Sequence, residues 1–232
     1  MLLVTGASDN HVRSLRQFIA SFIRHNTAGK HRLLVWNLGI TDWSSVAIPL
    51  PHVSYDVFDY SKVPDWFDIT KDAGQYAWKP ALMRLVAVRS PDELVVWMDA
   101  GNLIVDPLRN LERFLRSNAM YSSYSVGKIR DWTHPGTVSA LRGTDSLHAL
   151  NRNGACIGFN LSVERARLCL DEWATACSNK DVIAPAGSSR ANHRQDQSVF
   201  SILYYKYVGS DAVSNVFLGY TIHNDVEGAT AP

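Results

Sequence analysis

The stretch that decides the fold is residues 76–106, YAWKPALMRLVAVRSPDELVVWMDAGNLIVD. It reads as a helix with a basic start, a turn, a buried strand, and an acid where that strand runs out. Pro80 suits the first turn of a helix, where its missing N–H costs nothing, which puts Lys79 at the helix entrance. That end carries unpaired N–H groups and the positive pole of the helix dipole, and so favours anions. After a turn at Ser90-Pro91-Asp92, the run Leu94-Val95-Val96-Trp97-Met98 is apolar on both faces, as a central parallel strand requires. Asp99 follows directly. Ligands of open α/β sheets gather outside the carboxyl ends of the strands. A cation from a helix start and a carboxylate from a strand end are therefore expected to meet there around a phosphate and a metal.

Working outward, LLVTGASDN predicts a first strand from Leu2. Val12, Leu15, Phe18, Ile19, Phe22 and Ile23 then recur at the spacing of an amphipathic helix that packs on a sheet. Strands are expected at Arg32–Leu38 and around His52–Phe58, followed by a Pro- and Trp-containing connection over residues 60–75. Asp106-Pro107 opens a helix with Leu108, Leu111, Phe114 and Leu115 on one side. Residues 120–142 read as strand, loop and a short helix after Pro135. A strand over Ala155–Ser162, a helix over Val163–Cys177 and a flexible polar loop, IAPAGSSRANHR, come next. Asp196 opens a helix carrying Val199, Phe200, Leu203 and Tyr207, and VFLGYTIHN reads as a last strand. No repeat or linker divides the chain. The expectation is one α/β domain over residues 1–232, a Rossmann-type, mainly parallel sheet flanked by helices.

Composition narrows the function classes. A formal net charge of +1 over 232 residues provides no general attraction to nucleic acid or to an anionic membrane. No apolar run approaches the roughly 18 residues of a membrane span, and strand-like sequence from Leu2 predicts no signal peptide. Cys156, Cys169 and Cys177 are odd in number and lack metal spacing, which predicts a cytoplasmic protein with reduced, buried or inert thiols.

VTGAS at residues 4–8 resembles the start of a short-chain dehydrogenase, and Tyr124 with Lys128 matches a Tyr-x-x-x-Lys spacing. An NAD(P)-binding loop, however, needs further glycines for close approach of the backbone, and Asn10 and Val12 stand in their places. Lys128 leads into IRDWTHPG rather than a long helix. The better reading of Gly6 is a tight strand-to-helix turn, with Thr5 and Ser8 free to bind a ligand or cap the helix.

The YAWKP, WMDAGN and HRQDQ blocks, in this order of elements, resemble those of GT-A nucleotide-diphospho-sugar glycosyltransferases. The likeness is to the galactosyltransferase and glycogenin-like branch and to a nucleotide-diphospho-sugar transferase-like group, over most of residues 1–225. The resemblance implies transfer of a sugar from a nucleotide-diphosphate donor to a glycan or other hydroxyl acceptor, assisted by Mn²⁺ or Mg²⁺. It implies that Lys79 holds the nucleotide and that Asp99 is the first acid of an Asp-x-Asp metal motif. Gly101 occupies the place of the second acid, and Asn102 offers a neutral oxygen instead. A hard cation held by oxygen ligands offsets the charge of a diphosphate leaving group.

By the same resemblance His223, after the last predicted strand, would complete the metal coordination; otherwise it is an exposed or hydrogen-bonded histidine. Asp225 is a further candidate ligand. Asp196 and Gln197 would lie under the donor sugar, Asp196 binding hydroxyls or acting as general base. Its alternative role is a helix cap. Arg190, His193 and Arg194 would close over the diphosphate or form a solvated loop. Thr5, Gly6 and Ser8 would flank the nucleoside. Trp132, His134 and Asn160 are the acceptor-side candidates, while most other aromatics belong to the core. A catalytically silent nucleotide- or glycan-binding module of the same fold is the rival reading.

Overall fold

The computed structural model describes residues 1–90, 93–209 and 216–226; the expected turn at Pro91-Asp92 lies outside them. In chain order the elements are β1 (Leu2–Ala7), α1 (Val12–His25), β2 (Arg32–Asn37), β3 (Val53–Val57), α2 (Trp78–Arg89) and β4 (Leu94–Met98). They continue with β5 (Leu103–Ile104), α3 (Arg109–Ser117), β6 (Met120–Lys128), α4 (Ile129–Trp132), α5 (Pro135–Ala140) and β7 (Leu150–Asn160). The last are α6 (Glu164–Cys177), α7 (Lys180–Ile183), α8 (Gln195–Val208) and β8 (Tyr220–Thr221).

The main sheet has the order β3-β2-β1-β4-β7-β6. β3, β2, β1 and β4 are parallel, whereas β7 runs antiparallel to both β4 and β6. Among the described residues β7 is thus the one reversed strand of this sheet, and the α/β, mainly parallel reading holds. β4 is fully buried, and its side chains alternate between two cores as the pleat demands. Val95 and Trp97 join the core beneath α2, α6 and α8; Leu94, Val96 and Met98 join the core beneath α1 and α3.

Three expectations change in detail. β7 begins at Leu150, well before Ala155, because its polar first half pairs with an irregular β6 whose register shifts twice. The last strand shrinks to Tyr220–Thr221, paired with β5 in a separate two-stranded sheet. The loop expected to be flexible and polar is tied down: His193 is completely buried, and its Nε2 bonds to the Ile183 carbonyl at 2.7 Å. Burial pushes the thiols of Cys156, Cys169 and Cys177 up, and all three are free. Among the described residues no helix is long and apolar enough to cross a membrane.

The connection into α2 contains a feature that the sequence reading did not foresee. Residues 72–76 all have positive φ, from 50° to 59°, a run of left-handed turns that L-residues adopt at a cost. The Gly74 N–H donates to the Lys71 carbonyl at 2.8 Å, and Trp78 Nε1–H donates to the Ala73 carbonyl at 3.0 Å. A β-carbon on Gly74 would lie 2.1 Å from the Phe67 carbonyl oxygen. Gly74→Ala is therefore expected to cost about 1–3 kcal/mol. A thermal melt should show this as a Tm lower by several degrees.

Candidate active site

Lys79 is the second residue of α2, and the left-handed turn before it aims the helix N-terminus at the carboxyl end of β4. Its side chain is buried, with Nζ 3.1 Å from Asp99 Oδ1 and 3.6 Å from Asp196 Oδ2. It also donates to the Gly154 carbonyl at 3.3 Å. The rings of Tyr76, Trp78 and Trp97 stand 5.9, 6.0 and 5.4 Å from the ammonium, close enough to favour a cation. Trp97 Nε1–H donates to the same Asp99 oxygen. The two acids differ in access: the Asp99 side chain is 40% exposed and that of Asp196 5%.

Burial works against the Lys79 charge, but Asp196 and then Asp99 outweigh it and hold the ammonium above its ordinary range. Burial raises Asp196 to about 6, with Lys79 pulling the other way and Asp99 adding to the rise. At 3.6 Å the Lys79–Asp196 pair is electrostatic rather than hydrogen-bonded, and Asp196 Oδ2 has no hydrogen-bond partner among the described residues.

Two cavities meet at this cluster. The first, of about 260 Å³, is lined by Gly6, Ser8, Asn10 and His11 on one side and Gly101, Asn102 and Asp225 on the other. The second, of about 360 Å³, is lined by Trp132, Asn153, Arg190, Arg194, Asp196 and Gln197, among others. Tyr76, Lys79, Asp99 and His223 line both. At Gly154 the floor of the second cavity carries no side chain. A β-carbon there would sit 3.7 Å from both Gln197 Oε1 and Lys79 Nζ. Arg194 lies over the Trp132 ring at 4.0 Å and Arg190 over Tyr76 at 5.9 Å. Neither guanidinium has an ion pair among the described residues.

Most of the residues singled out in the sequence come together here, but Thr5, His134, Asn160 and His193 line neither cavity. Thr5 is buried in β1 with its hydroxyl unpartnered among the described residues. His134 caps α5, accepting from the Gly136 N–H, and its own N–H donates to His193 Nδ1. Asn160 ends β7 opposite Leu94, at the far edge of the sheet, and its amide donates to the Leu115 carbonyl. His193 serves the same local packing: burial lowers it to about 4, which leaves a neutral ring rather than a clamp on phosphate. Asn10, His11 and Asn153 line the cavities without having been singled out. Asn153 lies in the polar first half of β7, ahead of the strand expected from Ala155.

The fold can now be compared with known ones. No protein-family model matches the chain, and no curated protein matches it in sequence. Solved structures do. A galactosyltransferase, LgtC, in complex with donor and acceptor sugar analogues superposes with a TM-score of 0.58 at 19% identity, over 90% of this chain and 71% of that one. The fold is that of the GT-A glycosyltransferases. An active-site mutant of LgtC gives 0.60 at 13% identity, over 96% of this chain and 87% of that one. Mouse xyloside xylosyltransferase 1 gives 0.52 at 12% identity, over 89% and 81%.

The resemblance read from the sequence implies a divalent ion, and the residues here fit one only in part. Among the described residues no three of His, Cys, Asp and Glu stand close enough to cage a metal. Oxygen donors are nevertheless present: Asp99 and Asp225 line one cavity with Asn102. Asn102 Oδ1 is buried without a hydrogen-bond partner among the described residues. Such a set suits a cation that brings phosphate oxygens with it rather than one held in an all-protein cage.

The buried ion pair makes a prediction of its own. Lys79→Met leaves Asp196 without its cation and should cost about 3–5 kcal/mol at pH 8, measured by urea unfolding. The cost should shrink towards pH 5, because Asp196 already titrates near 6 and takes a proton when Lys79 is gone.

Proposed function

We infer that the chain is a glycosyltransferase that moves a sugar from a nucleotide-diphosphate donor to a hydroxyl acceptor. The carrying observation is the buried Lys79, held between Asp99 and Asp196 where the two cavities join. In this reading the nucleoside occupies the first cavity, beside Gly6 and Ser8. The diphosphate crosses the junction, and the sugar meets the acceptor in the second cavity.

Each side chain has a separate task. Asp99, the more exposed acid, faces the diphosphate, and its ion pair with Lys79 holds it in place. Asp196 and Gln197 open α8 beneath the sugar, where Asp196 binds hydroxyls or takes the acceptor proton. Arg194 and Arg190, stacked on rings and unpaired, present N–H edges to anionic or hydroxyl oxygens. Trp132 offers a face for a sugar ring. Asp99, Asn102 and His223 would hold Mn²⁺ or Mg²⁺, which when bound neutralises diphosphate charge. The reading further places the protein in the cytoplasm, with small-molecule and glycan partners and no nucleic acid.

A mass-spectrometric screen across common sugar nucleotides tests this directly. The expected outcome is donor hydrolysis or transfer for at least one of them, abolished in Asp99→Ala while circular dichroism stays unchanged. Nucleotide binding without turnover would favour a silent binding module. The rate with the active donor should fall as pH drops through about 6, since the ionised Asp196 is the working form. Asp196→Asn should remove that limb along with most of the rate.

A further inference from the structure

The space that a side chain of residue 101 would occupy is already filled. An ideal β-carbon on Gly101 would lie 2.2 Å from Asp225 Oδ1 and 2.6 Å from both Asp225 Cγ and Oδ2. The carboxylate of Asp225 therefore stands where an acid at position 101 would begin. We propose that Asp225 and Asp99 form a two-carboxylate half-site for a divalent cation, with the Asn102 carbonyl oxygen as a third donor. A nucleoside diphosphate completes it. The proposal rests on the donor reading above, and it places the second acid in the carboxyl-terminal segment instead of on the β4 loop.

Three observations carry it. First, Asp225 is held in place by its neighbours. The Asn224 N–H donates to the Gly101 carbonyl at 2.7 Å, and the Val226 N–H donates to Ser14 Oγ at 3.1 Å. Gln17 Nε2–H donates to the Asn224 carbonyl at 3.4 Å. The segment is thus pinned to β4's end and to α1 on both sides of the acid. Second, the local charge is unbalanced. Lys79 is already shared by Asp99 and Asp196, and Asp225 has no hydrogen bond or ion pair among the described residues. Among the described residues lining the first cavity, Lys79 is the one lysine or arginine against two acids, Asp99 and Asp225, and it is already shared with Asp196; a second cation there is favoured.

The third observation concerns Asn102, which is 1% exposed. Its Nδ2 donates to the Ala155 carbonyl at 2.7 Å, which fixes the amide orientation. The opposite atom, Oδ1, is consequently an oxygen; it is buried in a residue that lines the same cavity, and it has no hydrogen-bond partner among the described residues. A buried acceptor without a donor is costly, and a cation removes that cost. These donors fall short of a cage, so protein alone should bind the ion weakly. Magnesium-type sites of one or two carboxylates plus substrate phosphates behave in this way.

The test is a Mn²⁺ titration followed by electron paramagnetic resonance, with and without UDP or GDP, whichever nucleotide binds more tightly. Nucleotide binding in EDTA is measured separately by calorimetry. Wild-type protein is expected to bind Mn²⁺ at least about tenfold more tightly with nucleotide than without. Asp225→Asn should weaken that ternary affinity by roughly 10–100-fold, the scale of a lost coordination partner. In the double variant Gly101→Asp with Asp225→Ala, the acid moves onto the β4 loop and the affinity should return to within a few-fold of wild type. Gly101→Asp alone should not improve it, because Asp225 blocks the space. Unchanged Mn²⁺ affinity in Asp225→Asn, or no recovery in a folded double variant, overturns the proposal. If nucleotide binds in EDTA and Mn²⁺ adds nothing, the half-site falls and the donor reading stands. If neither nucleotide binds under any condition, the donor reading falls and the half-site with it.

Discussion

One buried ammonium organises this molecule. Lys79 is almost wholly withdrawn from water, and a lysine there keeps its charge because two carboxylates from distant parts of the chain converge on it. Each of the three groups depends on the others, so the start of α2, the end of β4 and the start of α8 are coupled through electrostatics as well as packing. Removing either acid leaves an imbalance, whereas removing the lysine leaves two acids facing each other. The same coupling lifts Asp196 into a range where it exchanges protons near neutrality, a property that a solvent-exposed carboxylate lacks.

The sheet makes that convergence possible. Four parallel strands deliver their carboxyl ends to one edge, and the reversed β7 returns along β4 so that Gly154 and Ala155 come to lie beside Asp99. The irregular pairing of β6 with β7 opens the sheet on that side and makes room for the second cavity. Bulges next to functional clefts commonly have this effect. The first cavity owes its shape to small residues at the end of β1, where Gly6 lets Leu38 and Trp36 pack close beneath it. Two chambers with a shared charged wall follow from strand direction and from where side chains are absent.

Much of this was legible in residues 76–106. Apolar continuity marks a buried strand, and a charge placed immediately after it can only point off the sheet's end. Lys79 and Asp99 were accordingly found from local pattern, Asp196 and Gln197 from the resemblance carried by the HRQDQ block, and the structure brings all four to one place. Local pattern fails where position depends on partners far along the chain. His134 and His193 read as polar loop residues, yet each satisfies a backbone group inside a packed turn. Asn160 looked like a strand-end acceptor contact, but β7 begins five residues earlier than the apolar run suggested, and its other end holds Asn153 at the cavity instead. The left-handed segment before α2 carries only Gly74 as a signal, because the remaining residues adopt that conformation under the constraint of their surroundings. Gly101 looked like a simple loss of an acid until its neighbour in space was known.

The three thiols lie inside the cores, far from easy ionisation. A maleimide dye or nitroxide offered to the native protein would find no cysteine ready to react, so a single cysteine introduced on the surface would be labelled alone. Optical or magnetic rulers between chosen positions could then be installed without first stripping the native sulfurs, which would spare the interior the voids that such replacements leave.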